Sequence, residues 1–221
     1  RYAHRDHKKL IIIDGMKAFT GGLNIANEYS GYFRKKRKKA WRDTGILIEG
    51  PIATELLKEF DKSWALWEKR RFKHEPIRKA LEVSAPAYTD GSLPVIPIFA
   101  SSFKGRKRLR TLLYYSIKQS KESVNLTTAY FTPSRKMIRS LSDAVKRGVR
   151  VSILLPSESD VSAAIYAGRA SFTKLLKAGI NIYNYKGNIL HAKTAVFDGR
   201  WSIIGSANLD FQSLMWNDEG N

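Results

Sequence analysis

The chain has 221 residues, 43% of them hydrophobic and 11% aromatic, which excludes a disordered segment and allows one large domain or two small lobes with a buried core. It has no cysteine, so a disulfide framework and a thiolate metal site are both excluded. Lys and Arg number 39 against 20 Asp and Glu, and this net +19 predicts attraction to a polyanion, either nucleic acid or an anionic lipid surface.

No apolar run reaches the length of a membrane span, and residues 1–20 lack the layout of a signal peptide, so any membrane contact made by these residues is expected to be peripheral. Residues 9–13 form an apolar run closed by Asp14-Gly15, a strand-then-turn signal, and Lys17 to Thr20 continue as a second strand broken by Gly21-Gly22. A short helix is expected from Asn24 to Tyr29, followed by six consecutive cations, Arg34, Lys35, Lys36, Arg37, Lys38 and Lys39. Thr44 to Ile48 reads as a strand. Ile52, Leu56, Phe60, Trp64 and Trp67 then recur at helical spacing, predicting an amphipathic helix over 52–70 with the two tryptophans in its core face.

Residues 72–94 lack periodicity and hold Pro76, Pro86 and Pro94, which marks a connector. Beyond it, strands at 95–99, 123–127, 149–155 and 180–185 alternate with helices at 106–121, 133–147 and 161–178. This is α/β architecture, with helices covering a central sheet.

The most informative feature is an internal repeat. His7, Lys9, Asp14 and Gly15 recur as His191, Lys193, Asp198 and Gly199, an offset of 184 positions that persists downstream: Gly21 matches Gly205, Gly22 matches Ser206 and Asn24 matches Asn208. In extended backbone, alternate side chains share a face, so each copy offers an imidazole beside an ammonium. Imidazole serves as nucleophile or proton carrier, and lysine stabilises charge on a phosphate oxygen. The small pairs Gly21-Gly22 and Gly205-Ser206 are expected to let donors approach a phosphate closely, with Asn24 and Asn208 adding amide donors. The aspartates at the strand ends are read as ties for the turns more than as proton carriers. His4 and His74 fit neither copy and are read as surface or connector residues.

Both copies match H-x-K-x4-D followed by Gly or Ser and Asn, and the chain thereby closely resembles the phospholipase D superfamily. Trp41-Arg42-Asp43-Thr44, Ile48-Glu49-Gly50-Pro51, Ala129-Tyr130-Phe131-Thr132-Pro133, Arg147-Gly148-Val149 and Gly205-Ser206-Ala207-Asn208-Leu209-Asp210 are similar to its bacterial cardiolipin synthase branch, with a departure at Gly45. The resemblance implies a phospholipase D-like fold of two pseudo-symmetric lobes, each with a mixed sheet flanked by helices. The first would end at residue 94 and the second would cover 95–221, with outer elements missing at both ends.

It also implies a ping-pong transfer through a phosphohistidine, with no metal and no cofactor. The candidate catalytic set is His7, Lys9, Asp14, His191, Lys193 and Asp198, with His7 as nucleophile and His191 as acid/base by the family's usual order. Asn24, Ser206, Asn208 and Gly22 would support the phosphate, and Asp43 and Glu219 are candidates to orient the imidazoles or form ordinary ion pairs. Tyr130 and Phe131 line a headgroup or acyl route, or else the core. The implied partner is phosphatidylglycerol at a membrane surface, approached peripherally from the cytoplasmic face of a bacterial inner membrane, with 34–39 docking on anionic lipid. Hydrolysis, a nuclease acting on nucleic acid and a non-catalytic scaffold are the alternatives. Because both motifs lie in one chain, no dimer is needed to complete the site.

Overall fold

The structure is a computed structural model that describes residues 5–30, 40–72 and 93–221. The cations 34–39, His4, His74 and most of the expected connector lie outside the described residues. Packing groups the chain into two compact units, one of Arg1–Lys9, Gly21–Gly45 and Ile98–Asn221, the other of Leu10–Thr20 and Ile46–Pro97. All the residues of the candidate site discussed below, except Asp14, belong to the first unit.

In the smaller unit, β1 (Leu10–Ile13) and β2 (Lys17–Gly21) form an antiparallel hairpin, and β3 (Gly45–Glu49) completes a three-stranded sheet. Between β2 and β3 in the chain lies α1 (Asn27–Ser30), a single turn later and shorter than its pattern suggests. The helix α2 (Pro51–Phe72) buries the apolar side chains Ala53, Leu56 and Leu57 in its first two turns. Trp64 and Trp67 are not core residues. They are 40% and 50% exposed, with Trp64 stacked on Phe60 and Trp67 tilted against Trp64.

The larger unit holds a five-stranded mixed sheet in the order β6-β5-β4-β7-β8. β4 (Ser123–Thr127), β5 (Arg150–Pro156) and β6 (Asn181–Tyr185) run parallel, joined through α4 (Arg135–Lys146) and the pair α5 (Ser162–Arg169) and α6 (Phe172–Lys177). β7 (Thr194–Phe197) pairs antiparallel with β4 and makes a hairpin with β8 (Trp201–Ile204). α3 (Phe103–Gln119) precedes this sheet, with Ser102 capping its start, and α7 (Phe211–Met215) follows it. Leu126, Met137, Leu141, Ile153, Leu175 and Ile180 form its fully buried core.

Two expectations change. The segment 95–99 is not a strand; only Phe99 bridges Gly220, because Pro97 has no N–H to donate and the remaining bonds are Ile98 to Asn221 and Ala100 to Glu219. The single helix expected over 161–178 is two, since Ser171 N–H bonds Gly168 O three residues back and so ends the first ladder.

The repeat is also a repeat of structure. The register Leu10↔Thr20 to Ile13↔Lys17 recurs as Thr194↔Ile204 to Phe197↔Trp201 at the same offset. Both hairpins turn at an Asp-Gly pair with φ of 52° and 67° at Asp14-Gly15 and 53° and 65° at Asp198-Gly199. Positive φ at both central residues is the twist that a two-stranded hairpin requires. This accounts for Asp-Gly in both copies.

Candidate active site

His7–Lys9 and His191–Lys193 are extended segments that lead into β1 and β7. The bonds that hold them are crossed between the copies. His191 N–H donates to Arg42 O at 2.7 Å and Arg42 N–H to Ile189 O, while His7 N–H donates to Asp218 O at 2.8 Å and Asp218 N–H to Arg5 O. Each histidine of one copy therefore lies beside the carboxylate that follows the other motif. His191 Nδ1 is 2.7 Å from Asp43 Oδ2, and His7 Nδ1 is 3.4 Å from Glu219 Oε1, with both carboxylate side chains fully buried.

The small residues of each motif make room for these carboxylates. A Cβ on Gly21 would meet Thr44 O at 2.4 Å, and one on Gly205 would meet Gly220 O at 2.3 Å. A Cβ on Gly22 would come within 2.2 Å of Asp43 Oδ1. In the second copy the matching Ser206 instead donates its hydroxyl to Glu219 Oε2 at 2.5 Å. The Gly22 N–H donates to Thr44 O, and the Ser206 N–H to Gly220 O. These donors bond the chain that carries the carboxylate.

The aspartates and asparagines separate by role. Asp198 accepts from the backbone N–H groups of Lys121, Glu122 and Ser123 at 2.8–3.0 Å, bonds that hold its carboxyl below the usual range and clamp the β7–β8 turn to the start of β4. Asp14 is an exposed turn residue. Asn208 is buried, and its amide oxygen accepts from Thr128 Oγ1 and Tyr130 N–H, whereas Asn24 is exposed and reaches Tyr29 OH at 3.5 Å. Phe131 is buried in the core, while Tyr130 is partly exposed at the rim of His191.

Trp41 and Tyr29, which the motif reading passed over, surround His191. The indole and phenol centroids lie 5.5 and 6.1 Å from the imidazole, Tyr130 lies 6.3 Å away, and Tyr29 OH is 2.8 Å from Nδ1. Trp41 stands two positions before Asp43, as Asn217 stands two before Glu219, and Asn217 Nδ2 is 3.3 Å from His7 Nδ1. The signal was the same alternation that pairs His with Lys. One imidazole thus sits against an indole and the other against an amide.

Both lysines fold back on their own histidine backbone: Lys9 Nζ donates to His7 O at 2.6 Å, and Lys193 Nζ donates to His191 O and lies 2.8 Å from its Nδ1. Burial lowers the Lys193 ammonium to about 7, against the pull of Asp43, with Lys9 adding repulsion. Burial lowers Lys9 as well, opposed by Glu219, Asp43 and Asp6. Each ammonium feels both carboxylates, which puts the two copies at one centre. His191 is lowered too, by burial first and by Lys193 and Lys9, although its bond to Asp43 opposes the shift. With Nδ1 facing the Asp43 carboxylate, Nε2 is the nitrogen left for chemistry. Among the described residues, no group of three or more His, Asp or Glu side chains is gathered to hold a metal ion.

The histidines and lysines of both H-x-K-x4-D copies meet at one centre within the larger unit, the feature that carried the resemblance to the phospholipase D superfamily. Residues 113–221 match the family model described as cardiolipin synthase, PLD-like domain. The chain is 34% identical over 228 residues to a cardiolipin synthase of Halalkalibacterium halodurans, covering 99% of this chain and 42% of the relative. It is 31% identical over 217 residues to a probable cardiolipin synthase of Bacillus subtilis, covering 98% and 42% respectively. The crystal structure of phosphatidylserine synthase from Haemophilus influenzae shares the fold, with a TM-score of 0.64 at 14% identity over 100% of this chain and 58% of that one. The chain belongs to the phospholipase D superfamily and spans about two fifths (42%) of the length of the curated relatives it matches.

Proposed function

We propose that this chain carries the catalytic centre of a phosphatidyltransferase that joins two phosphatidylglycerol molecules into cardiolipin and glycerol through a covalent phosphohistidine, without a metal ion. The observation that carries the reading is the crossed pair of histidine–carboxylate contacts around two lysines. Nε2 of one histidine attacks phosphorus, the bond from phosphorus to the glycerol oxygen breaks, and the second histidine gives its proton to the departing alkoxide. That histidine then takes the proton from a hydroxyl of a second phosphatidylglycerol. The freed oxygen attacks phosphorus and the P–N bond breaks. Lys9 and Lys193 stabilise the charge that builds on the non-bridging oxygens. The enzyme works peripherally at the cytoplasmic face of a bacterial inner membrane, and one chain suffices for the site.

By the order in the superfamily, His7 is the nucleophile and His191 the acid/base. One observation favours the reverse. Burial lowers the pKa of His191 and so favours its neutral form, and neutral imidazole is the attacking form.

The test incubates the full-length protein, as wild type, His7→Ala and His191→Ala, with phosphatidylglycerol vesicles and reads products by lipid mass spectrometry. Cardiolipin plus glycerol from the wild type alone supports the transferase. Phosphatidic acid alone makes it a hydrolase, and absence of any lipid product turns the reading to nucleic-acid phosphodiesters.

A further inference from the structure

The helix α3 carries Lys104, Arg106, Lys107, Arg108, Arg110 and Lys118 and no carboxylate. Two of these cations turn inward: Arg106 lies 3.5 Å from Asp218 and donates to Ala100 O, and Arg110 donates to Leu214 O. Lys104, Lys107, Arg108 and Lys118 recur with Thr111 and Tyr115 at helical spacing, opposite the buried Leu109, Leu113 and Ile117, and all six are exposed. At the start of the same helix Phe103 is 72% exposed. Phe103 thus sets one large apolar ring at the end of the cationic face.

The start of α3 is tied to the site. Ala100 N–H donates to Glu219 O, and Lys8 Nζ, one residue from His7, donates to Ser101 Oγ. We propose that Phe103 with Lys104, Lys107 and Arg108 forms a docking face for an anionic phospholipid bilayer, which brings lipid phosphates to the neighbouring His7–Glu219 pair. A bilayer takes up both features, with cations at the headgroup phosphates and the ring at the boundary with the acyl chains. The proposal rests on the reading of the site as one that acts on phospholipid.

The test compares the full-length wild type with Lys104→Gln/Lys107→Gln/Arg108→Gln and with Phe103→Ser. Sedimentation with vesicles of phosphatidylglycerol in phosphatidylcholine reads docking, and turnover of a short-chain phosphatidylglycerol below its micelle concentration reads the chemistry. Each charge near an anionic leaflet is worth roughly fivefold in binding, so the triple variant should lose on the order of 100-fold at low salt. Phe103→Ser should weaken binding by a smaller, salt-insensitive factor, and turnover of monomeric lipid should stay within about twofold in both variants. Unchanged sedimentation of both variants overturns the proposal, as does an equal loss on monomeric substrate. Loss of oligonucleotide binding with vesicle binding intact also overturns it and assigns the face to nucleic acid. If the wild type turns over neither form of the lipid, the transferase reading fails, while sedimentation still decides the docking face.

Discussion

His191 Nδ1 lies 2.7 Å from the buried carboxylate of Asp43, a residue that follows the first motif, although His191 belongs to the second. Glu219, which follows the second motif, stands at His7 in the same way. Removing one carboxylate therefore acts on the histidine of the other copy. Asp43→Asn should lower the pKa of His191 further, since its bond to Asp43 is what opposes burial there; the imidazole proton resonances of His191 read the change. Turnover should fall by up to about 10⁴-fold, the loss that follows when an amide fixes the wrong tautomer. An unmoved His191 would show that Asp43 does not serve it.

Lys193 gives a pH signature of stability. Its folded value of about 7 lies below the unfolded 10.5, so between them the unfolded chain binds more protons. The wild type should therefore gain stability as pH rises from about 7 toward 10, and below 7 it bears the full cost of a buried ammonium. Lys193→Met should melt higher than wild type at pH 6, with the gap closing toward pH 10, and should be inactive. Melting curves across that range check the sign.

Asp198 predicts a slope of the same sign, in an acid window instead of an alkaline one. Its carboxyl is held low by three backbone donors, so its contribution is present above the unfolded value and is lost as pH falls through the folded one. Asp198→Asn keeps a residue tolerant of positive φ but loses the charge, so it should melt lower than wild type at pH 7. The difference should shrink below about pH 4. A lasting gap in acid would refer the effect to packing.

At Gly22 a methyl group would sit on the Asp43 carboxylate, whereas at Gly21 it would meet backbone and adopt φ near +142°. Gly21→Ala should therefore cost stability, on the order of 2 kcal/mol or more in urea unfolding. Gly22→Ala should chiefly cost turnover by displacing the carboxylate. Equal effects on stability would mean that the Asp43 carboxylate cannot move aside.

The order of the two histidines is open to direct trapping. Acid quenching during turnover of labelled phosphatidylglycerol, followed by peptide mapping, should leave the phosphoryl group on His7 in the family's order. Label on the peptide holding His191 would instead select the neutral, indole-packed imidazole as nucleophile.

Much of this was legible in the residues. The offset of 184 gave the two hairpins in register, because the same Asp-Gly turn and apolar strand specify the same local geometry twice. The pairing partners were named, as Asp43 and Glu219, but which histidine each serves was not, because bridges such as Arg42 to Leu190 are set by tertiary approach and leave no periodicity. The spacing also hides them. Asn24 to Asp43 is longer by eight residues than Asn208 to Glu219, so the offset that holds through Asn208 no longer holds at the carboxylates. The tryptophans of α2 misled because helical spacing tells which residues share a face, but not how deeply each one is buried there.

The crossed pairing also bears on how such a chain can change over time. Neither half keeps a private set of working parts, since each imidazole leans on a carboxylate encoded in the other half. A lesion in one copy is felt at once in its sister, so neither is a spare that can drift into disuse while the other carries on. Duplication here gives no redundancy. Cutting the polypeptide between Asp43 and His191 would yield two pieces that are inert apart and regain activity only on meeting.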